Sequence, residues 1–380
     1  MAQQDSILIV GDFFPVPSNY CRFRDGDISY LLGDGLCELF NNSSYRICNL
    51  EGALTDRPGF CEKTGPTLYA PTEVVNTYKK LSINCCTLAN NHITDAGSEG
   101  VIDTINTLNA AGIHHIGAGF LGQIDTHYFF RLGSRTICLY NVAEEMYNAP
   151  GKGRAGANLY DEFEVCKDLE QIKKVSDYVI VVYHGGIERF RYPSPQVRKR
   201  FYRLSESGAD MVLSQHTHCV GSEEYHNGSY LLYGQGNFLF RSFNNEFTDT
   251  GLVLRIVFQG SQTQIERYLV NAIGDTVRLD SNQDLSGFYK RSSLLSDELY
   301  LQYQFDQYCY NELPQYLSSY KGRSPFRKLL SRVFPDWYKK MLYNGYERKQ
   351  LLRVLHSLRS DQNREIAING IKVLLEKEAK

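Results

Sequence analysis

The stretch Val212-Leu213-Ser214-Gln215-His216-Thr217-His218-Cys219-Val220 is the part of the sequence that is most informative about the fold. The apolar run at residues 209–213 predicts a short buried β-strand directly before two histidines. Side chains two residues apart in an extended chain point to the same side, so His216 and His218 are expected to bind one common ligand. Functional groups of open α/β sheets lie just beyond the carboxyl ends of strands. Taken alone, however, His-x-His is equally compatible with a polar turn.

Four further apolar runs end in an Asp, Glu, Asn or His. They are residues 6–10 before Gly11-Asp12, 45–48 before Asn49-Leu50-Glu51-Gly52, 83–89 before Asn90-Asn91-His92, and 178–183 before His184-Gly185-Gly186-Ile187-Glu188. Because the carboxyl ends of parallel strands meet at one sheet edge, these polar groups are expected to converge with the histidine pair. Alternation of strands and helices up to His218, followed by a β-meander, predicts two packed sheets with helices outside.

Local signals add helices and hairpins to this outline. Helices are predicted over residues 27–40 with a break at Gly33-Asp34-Gly35, over 71–81, from about 97 to a stop at Gly112, over 162–175, and from Ser194-Pro195 to Gly208. Hairpins are predicted around Gly133-Ser134 and Asn227-Gly228. The polar loop at 144–158 is long enough to favour a functional role.

Composition limits the class of protein. A length of 380 residues allows one large domain with an appendage, or two domains, and a net charge of -2 argues against nucleic-acid binding by the whole chain. Several of the ten cysteines lie in predicted buried strands and none has zinc-site spacing, which indicates reduced thiols. No leader-type segment and no spanning stretch is recognised, so we expect a soluble, cytoplasmic protein.

The composition changes at about residue 285, which predicts a domain at 1–284 and a helical appendage at 285–380. Between Lys321 and Arg359 there are eleven Lys or Arg against two acids, Asp336 and Glu347. A solvated helical face is the simplest interpretation of this charge. Docking on an acidic partner or on an anionic membrane surface comes next, and nucleic acid is least favoured because no binding motif accompanies the charge.

The strand-end residues form a candidate metal site. They are Asp12, Glu51, Asn91, His92, His184, His216 and His218. Hard oxygens mixed with imidazoles suit Mn, Fe or Zn, whereas Ca or Mg would take almost only oxygen. The set is larger than one tetrahedral site can use. Two ions about 3.5–4 Å apart and bridged by one carboxylate would use it, and such a pair serves phosphoryl-type hydrolysis.

Seven ordered blocks, covering about residues 6–258, carry a family resemblance. They are Gly11-Asp12, Asn49-Leu50-Glu51, Ala89-Asn90-Asn91-His92-Ile93-Thr94-Asp95-Ala96-Gly97, His184-Gly185-Gly186-Ile187-Glu188, Gly208-Ala209-Asp210, His216-Thr217-His218 and Tyr233-Gly234-Gln235-Gly236-Asn237-Phe238. In these blocks the chain resembles the CapA, or poly-γ-glutamate capsule synthesis, family and through it the calcineurin-like metallophosphoesterases.

The resemblance implies a four-layer αββα sandwich of two mixed sheets with a dinuclear centre at the strand ends. Carried over by position, Asp12 and His218 would bind the first ion and Glu51 would bridge. The second ion would be held by Asn91, His184 and His216. His92 would act as the general acid or as a donor to a developing oxyanion.

Two departures from the phosphoesterase pattern fit the CapA pattern better. Phe14 stands where phosphoesterases carry a histidine ligand, and Glu51 replaces an aspartate. In the histidine block, Ser214 and Gln215 stand where Gly and often His are usual, and neither is needed as a ligand.

Four more residues are expected to bind substrate, namely Asn49, Glu188, Arg189 and Asn237. Each has a plainer alternative: Glu188 and Asp95 could orient a ligand histidine, and Arg189 and Arg191 could be solvated surface rather than partners of phosphate or carboxylate. Residues 234–237 could be an anion-binding turn or a simple tight turn. Likewise Asp12 could cap a turn, Asn91 could be a turn former, and His92 and His184 could be core histidines.

Two functions remain open at this level. One is a metal-dependent hydrolase acting on a phosphoester, or on a bond with a similar transition state, in an anionic small molecule or envelope-polymer precursor. The other is a non-catalytic component of a polyglutamate or polysaccharide synthesis assembly, in which the appendage docks on a polymer synthase. The family name also suggests γ-glutamyl amide chemistry, which no residue demands.

Overall fold

The computed structural model describes residues 5–59, 61, 63, 65–240, 245–260, 262–317 and 348–378. The chain forms two compact units, residues 1–61 with 67–301, and residues 62–66 with 302–380. Each unit is described separately below. The domain boundary expected after residue 284 stays a prediction.

Strands and helices alternate through most of the first unit. In chain order the elements are β1 (Ser6–Phe13), α1 (Tyr20–Asp25), α2 (Ile28–Leu32), α3 (Asp34–Asn41), β2 (Tyr45–Asn49), β3 (Ala53–Leu54), β4 (Tyr69–Ala70), α4 (Val75–Lys80), β5 (Cys85–Thr87), α5 (Gly97–Ala111), β6 (His114–Ile116), β7 (Ala118–Phe120), β8 (His127–Leu132), β9 (Arg135–Ala143), β10 (Ala155–Ala157), α6 (Glu162–Ile172), β11 (Tyr178–His184), α7 (Pro195–Glu206), β12 (Met211–Gln215), β13 (Glu223–His226), β14 (Ser229–Leu232), β15 (Asn237–Leu239), β16 (Thr250–Gln259), β17 (Gln262–Ile273), β18 (Thr276–Leu279), α8 (Ser286–Ser293) and α9 (Glu298–Leu317).

Two mixed sheets form the centre of this unit. The first sheet has eight strands in the order β18-β17-β16-β1-β2-β5-β6, with β15 also paired to β1. The second has six strands in the order β13-β14-β12-β11-β9-β8. In both sheets the inner strands are parallel, β1 with β2 and β11 with β9 and β12. Antiparallel strands close both edges of the second sheet and the β18 edge of the first, whose other edge strand, β6, is parallel to β5.

Alternating side chains give the unit its four layers. On β11, Val179 and Val181 pack with helices α6 and α7, whereas Ile180 and Val182 point to the other face and pack against the first sheet. Helices α1 to α5 cover the outer face of the first sheet through a third apolar cluster. The order helix, sheet, sheet, helix confirms the αββα arrangement expected from the sequence.

Buried amides join the two sheets where their central strands end. Gln215, the last residue of β12, donates through Nε2 to Val10 O of β1 (3.3 Å) and to Gln235 Oε1 (2.9 Å). Gln235 in turn donates through Nε2 to Ile9 O at 2.8 Å. We call these two side chains the amide clamp. Because both are buried, their bonds act in a low dielectric and hold the ends of β1 and β12 at a defined separation.

A glycine makes room for this junction. A Cβ atom on Gly11 would lie 2.2 Å from the carbonyl oxygen of Gly236, so any other residue would force β1 away from the turn that carries Gln235. The glycine of the Gly11-Asp12 block therefore has a packing role beside the clamp.

The sequence predictions agree with most of these elements. The helix break falls at Gly33, α5 ends at Gly112, Ser194 caps α7 through Val197 N, and both predicted hairpins form. The predicted β-meander is confirmed only in part: β16, β17 and β18 are consecutive antiparallel neighbours in the first sheet, whereas the hairpin β13–β14 joins the second sheet. Nothing local in the sequence distinguishes which of two sheets a strand will extend.

The second unit is helical where it is described, and includes residues 302–317 of α9, α10 (Arg348–Arg359) and α11 (Asp361–Glu378). Most of the basic segment expected to dock on a partner or a membrane surface falls at residues 318–347, outside the described residues. None of the described helices is both long and apolar enough to cross a bilayer.

A buried ion pair ties α7 to the second sheet and provides a test of the packing. Arg200 donates through Nη1 to Glu144 Oε1 at 2.9 Å and to the Tyr183 hydroxyl at 2.8 Å. Arg200→Ala should lower the free energy of unfolding in urea by about 3–5 kcal/mol, since it leaves Glu144 buried without its cation. Arg203→Ala, on the exposed side of the same helix, should change it by less than about 0.5 kcal/mol. Equal effects of the two substitutions would contradict this account.

Candidate metal centre

The ends of three neighbouring strands in the first sheet place polar side chains side by side. Asp12 lies opposite Asn49 of β2 and opposite Asn237 of β15, and the strand bulges immediately before it. A bulge re-aims the side chains that follow it. Asp12 is fully buried, and its Oδ1 accepts a hydrogen bond from Asn49 Nδ2 at 2.8 Å.

The second sheet supplies three histidines from the ends of β11 and β12. His184 is the last residue of β11, and its Nδ1 lies 3.3 Å from Asn49 Nδ2. Its Nε2 lies 2.9 Å from Asn91 Oδ1 and 3.4 Å from Glu51 Oε1. The ring centres of His184 and His216 are 5.0 Å apart, and those of His216 and His218 are 6.0 Å apart.

The prediction that His216 and His218 converge because they lie on extended chain is wrong. The strand β12 ends at Gln215, and the two histidines have φ angles of 89° and 54°, in the left-handed region that L side chains rarely adopt. A tight turn therefore aims them, rather than the alternation of an extended strand. Strained backbone of this kind persists where the surrounding structure enforces it, and it is common at functional sites.

Two groups of side chains at this edge could each hold a metal ion, and they share one carboxylate. The first group is Asp12, Glu51 and His218, and the second is Glu51, His184 and His216, with the ligand atoms of each group within 4.8 Å of one another. Asn91 stands beside the second group through its 2.9 Å approach to His184. All six residues expected as ligands thus lie at one place, with Glu51 between the two groups.

Burial and neighbouring charges shift the ionisation of this cluster. Burial and the adjoining negative charge of Asp12 raise the pKa of Glu51 well above its usual value. Burial opposes ionisation of Asp12, but the charge of His218, whose Nδ1 lies 3.3 Å from Asp12 Oδ2, outweighs it and lowers the pKa of Asp12 to about 2. Burial disfavours the charged form of His218, but the charges of Glu51 and Asp12 outweigh burial and raise the pKa of His218 to about 10. Burial and the charge of His216 lower the pKa of His184 well below its usual value.

The donor set fits a divalent cation. Both carboxylate oxygens of Glu51 and the Oδ2 atom of Asp12 are buried and accept no hydrogen bond from a described residue. Such atoms are costly to bury unless a cation or a donor compensates them. Oxygens together with neutral imidazole are the ligands that first-row divalent ions accept, and the low pKa of His184 keeps its ring in that form.

His92 adjoins the centre and is held by a carboxylate. Its Nδ1 lies 2.6 Å from Asp95 Oδ2, and the same oxygen accepts a hydrogen bond from Leu68 N at 2.7 Å. Because a carboxylate only accepts, the proton of this bond resides on Nδ1, which makes Nε2 the ring atom for proton exchange. His92 is buried, with 7% of its surface exposed.

The residues expected to bind substrate occupy different places. Asn49 is buried between Asp12 and His184, and Asn237 Oδ1 lies 2.8 Å from His218 Nδ1, so both contact candidate ligands. Glu188 is half-buried; burial opposes its ionisation, but the charges of His216 and His218 lower its pKa. Arg189 is exposed at the rim, where its backbone N–H donates to Thr217 O at 2.8 Å. Their roles in substrate binding stay predictions.

Phe14 and the turn at residues 234–237 both contact residues that stabilise the fold. Phe14 is buried in the cluster between the first sheet and its helices, and its ring lies where a Cβ atom on Gly52 would be. The position therefore contributes packing rather than a ligand. In the turn, Gln235 N donates to Ser214 O at 2.9 Å and its side chain belongs to the amide clamp, which favours the tight-turn alternative.

Asn90 and Asn148 were not singled out from the sequence, although they hold the turn that carries Asn91 and His92. Asn90 donates to Leu50 O at 2.9 Å and accepts from His92 N at 3.1 Å. Asn148, in the long polar loop, donates to Asn90 O and to Glu144 O, both at 3.1 Å. The length of that loop was the only signal, and it did not identify the residue.

The chain is similar to a protein family, to curated sequences and to solved structures. The family described as "Bacterial capsule synthesis protein PGA_cap" matches residues 6–242, which is more than half of the chain. This range includes every candidate ligand described above.

Two curated relatives match the same part of the chain. "PGA biosynthesis protein CapA" of Bacillus subtilis is 25% identical over 227 residues, covering 57% of this chain and 58% of the relative. "Capsule biosynthesis protein CapA" of Bacillus anthracis is 29% identical over 225 residues, covering 56% of this chain and 54% of the relative. The chain therefore spans somewhat more than half the length of the curated relatives it matches.

Among solved structures, the sulfate thiohydrolase SoxB of Thermus thermophilus is similar over 78% of this chain and 61% of its own. The TM-score is 0.43 and the sequence identity is 10%. At this level the likeness carries no argument about function, and the four layers described above rest on the packing of the chain itself.

Replacing Glu51, the carboxylate shared by both groups, should change folding stability and metal binding in opposite directions. Without added metal, Glu51→Gln should raise the free energy of unfolding in urea by about 1–3 kcal/mol, because it removes a carboxyl group that is costly to ionise where it is buried beside Asp12 and that accepts no hydrogen bond from a described residue. The stabilisation that Mn²⁺ gives to the unsubstituted chain, about 2.7 kcal/mol at one hundred times Kd, should disappear.

Glu224→Gln is the matched control for this substitution. Glu224 is also shielded from solvent, but it accepts hydrogen bonds from Arg198 at 2.9 Å and from Tyr233 at 2.7 Å. This control should lose stability and keep the Mn²⁺ effect. A Glu51→Gln chain that still gains stability from Mn²⁺ would remove Glu51 from the candidate centre.

Proposed function

This chain belongs to the bacterial capsule synthesis protein family, and from that premise we propose that it is a metal-dependent hydrolase in capsule or exopolymer biosynthesis. The proposed substrate is an anionic small molecule or envelope-polymer precursor with a phosphoester, or a bond of similar transition state, at the reacting position. We further propose that the ions are Mn, Fe or Zn, since the ligands mix carboxylate, amide and imidazole.

The observation that carries this proposal is the position of Glu51. Its two oxygens are buried, accept no hydrogen bond from a described residue, and belong to both candidate ligand groups. A structural carboxylate would be expected to have donors of its own. A carboxylate that instead stands between two sets of ligands is suited to bridging two cations.

Each part of the site then has a defined task. Bound divalent ions would supply Lewis-acid stabilisation of charge that develops on the substrate oxygens. Asn49 orients both halves of the ligand set, because it contacts Asp12 and His184 at once. His92 would transfer a proton through Nε2, while Asp95 holds Nδ1 at 2.6 Å and keeps the ring in place. The buried surroundings of the cluster strengthen each of these interactions.

A specific observation supports a second candidate function. Phe14, at the position of a phosphoesterase ligand, is buried in an apolar cluster, so the first group has one ligand fewer than a phosphoesterase. A non-catalytic component of a polymer-synthesis assembly could keep the fold with such a centre. In that role the chain would act through contact with a polymer synthase, and its expected cytoplasmic location would be shared with the enzyme hypothesis.

The catalytic role of His92 can be tested with an aryl phosphate. On the chain loaded with Mn²⁺, His92→Asn should lower kcat for phenyl phosphate, whose poor leaving group needs a proton, by roughly 10²–10⁴-fold with little change in KM, because the proton donor is lost while the ligands remain. The Mn²⁺ content should be checked by elemental analysis before and after substitution.

His114→Asn is the matched control, because His114 is exposed and lies outside the candidate centre. It should leave kcat unchanged. Bound Mn²⁺ without turnover would favour the non-catalytic function, and turnover that is unaffected by His92→Asn would reject the proposed proton donor.

A further inference from the structure

We propose that Asn237 is a further ligand of the first ion, which it binds through its side-chain carbonyl oxygen, Oδ1. This inference deepens the proposed function and rests on it, since it completes one half of the same metal centre. The first group contains Asp12, Glu51 and His218, and the buried ring of Phe14 adds no ligand to it. An oxygen from a neighbouring strand would take the place that Phe14 leaves without a donor.

The pairing of β15 with β1 holds Asn237 beside Asp12. The two residues are partners in this parallel pairing, and Asn237 is 3% exposed. Its neighbours along the chain are anchored on both sides. Gln235 belongs to the amide clamp, and the Phe238 ring packs edge-on against Phe13 with the ring centres 5.1 Å apart. The side chain is therefore presented from rigid backbone, which is what a metal ligand requires.

A hydrogen bond sets which end of the Asn237 amide faces the centre. Its Nδ2 donates to Thr248 O at 2.8 Å, and Thr248 is itself buried. A backbone carbonyl only accepts hydrogen bonds, so the NH₂ end of the amide must face Thr248. The opposite end, Oδ1, then faces His218, whose Nδ1 lies 2.8 Å away.

Three atoms that can donate a lone pair surround one position in the first group. His218 Nδ1 lies 2.8 Å from Asn237 Oδ1 and 3.3 Å from Asp12 Oδ2. A proton on Nδ1 can serve Asn237, but Asp12 Oδ2 still accepts no hydrogen bond from a described residue. Ligand atoms that bind one ion at about 2.0–2.2 Å lie roughly 2.8–3.6 Å from one another. Both distances fall in that range, so one cation can contact all three atoms.

The second group shows the same combination of an amide oxygen and an imidazole. Asn91, expected as a ligand of the second ion, has its Oδ1 at 2.9 Å from His184 Nε2. With Asn237 included, each ion has an amide oxygen, imidazole nitrogen and a share of Glu51. A neutral amide also suits this position electrostatically. It adds an oxygen without adding a third negative charge to Asp12 and Glu51, whose burial is already costly.

Metal binding tests the assignment without requiring turnover. When Mn²⁺ is titrated calorimetrically into the full chain, Asn237→Ala should weaken the binding of one of the two ions by about tenfold or more, because one oxygen is lost. Asn271→Ala is the matched control. Asn271 lies on β17 of the same sheet and donates through Nδ2 to Asp280 Oδ2 at 2.6 Å, outside the candidate centre. This control should leave the Kd of both ions unchanged.

A thiol at position 237 separates a ligand from a residue that only orients His218, since loss of an orienting group also weakens metal binding. With Co²⁺, Asn237→Cys should gain a near-ultraviolet thiolate-to-cobalt charge-transfer band, because a sulfur at a ligand position binds the ion as thiolate. The spectrum of the unsubstituted chain with Co²⁺ is subtracted to remove any contribution of the native cysteines. Asn271→Cys should gain no band.

Thermal unfolding should first show that each variant is folded, and if Asn237→Ala is not, the spectrum of Asn237→Cys decides. A folded Asn237→Cys chain that binds Co²⁺ without the new band would overturn the assignment. An Asn237→Ala chain that binds both Mn²⁺ ions as tightly as the unsubstituted chain would overturn it as well. The band in a chain without phosphatase activity would support Asn237 as a ligand while the hydrolase proposal fails.

Discussion

The amide clamp is the interaction on which the arrangement of this protein depends. Two apolar sheets can slide over each other at little cost, because dispersion and hydrophobic contacts have no direction. Hydrogen bonds from Gln215 and Gln235 to the backbone of β1 remove that freedom at one edge. Asp12 and Glu51 come from the first sheet, whereas His184, His216 and His218 follow strands of the second. The clamp therefore helps to hold both sheets in register at the edge where the two halves of the candidate centre meet.

The sequence was sufficient for the location of the site and insufficient for its geometry. Polar residues directly after apolar runs were predicted to meet, and Asp12, Glu51, His184 and His216 do lie together. That inference holds because the local sequence pattern determines where each strand ends, and parallel pairing brings those ends to one edge of the sheet. The left-handed turn at His216 and His218 could not be predicted, since its backbone is enforced by contacts distant in sequence. The same holds for the clamp and for Asn148, whose partners are far away along the chain.

Buried charges are compensated differently in the candidate centre and elsewhere in the first unit. Glu144 and Arg200 are buried as a pair with direct hydrogen bonds, so the charges compensate within the protein. Glu51 and Asp12 are buried as neighbours of like charge, with His218 as the compensating group. A fold that tolerates this cost at one edge, while it pairs Glu144 with Arg200 elsewhere, places electrostatic strain where ligands could relieve it.

The position of β1 has a consequence for synthesis of the protein. Its parallel neighbour β2 begins at Tyr45, whereas its antiparallel neighbour β16 begins only at Thr250. Until β15 and β16 have been translated, one edge of this central strand has no partner among the described strands. An unpaired apolar edge can pair with another chain, so the late arrival of β16 makes this stage of synthesis sensitive to aggregation.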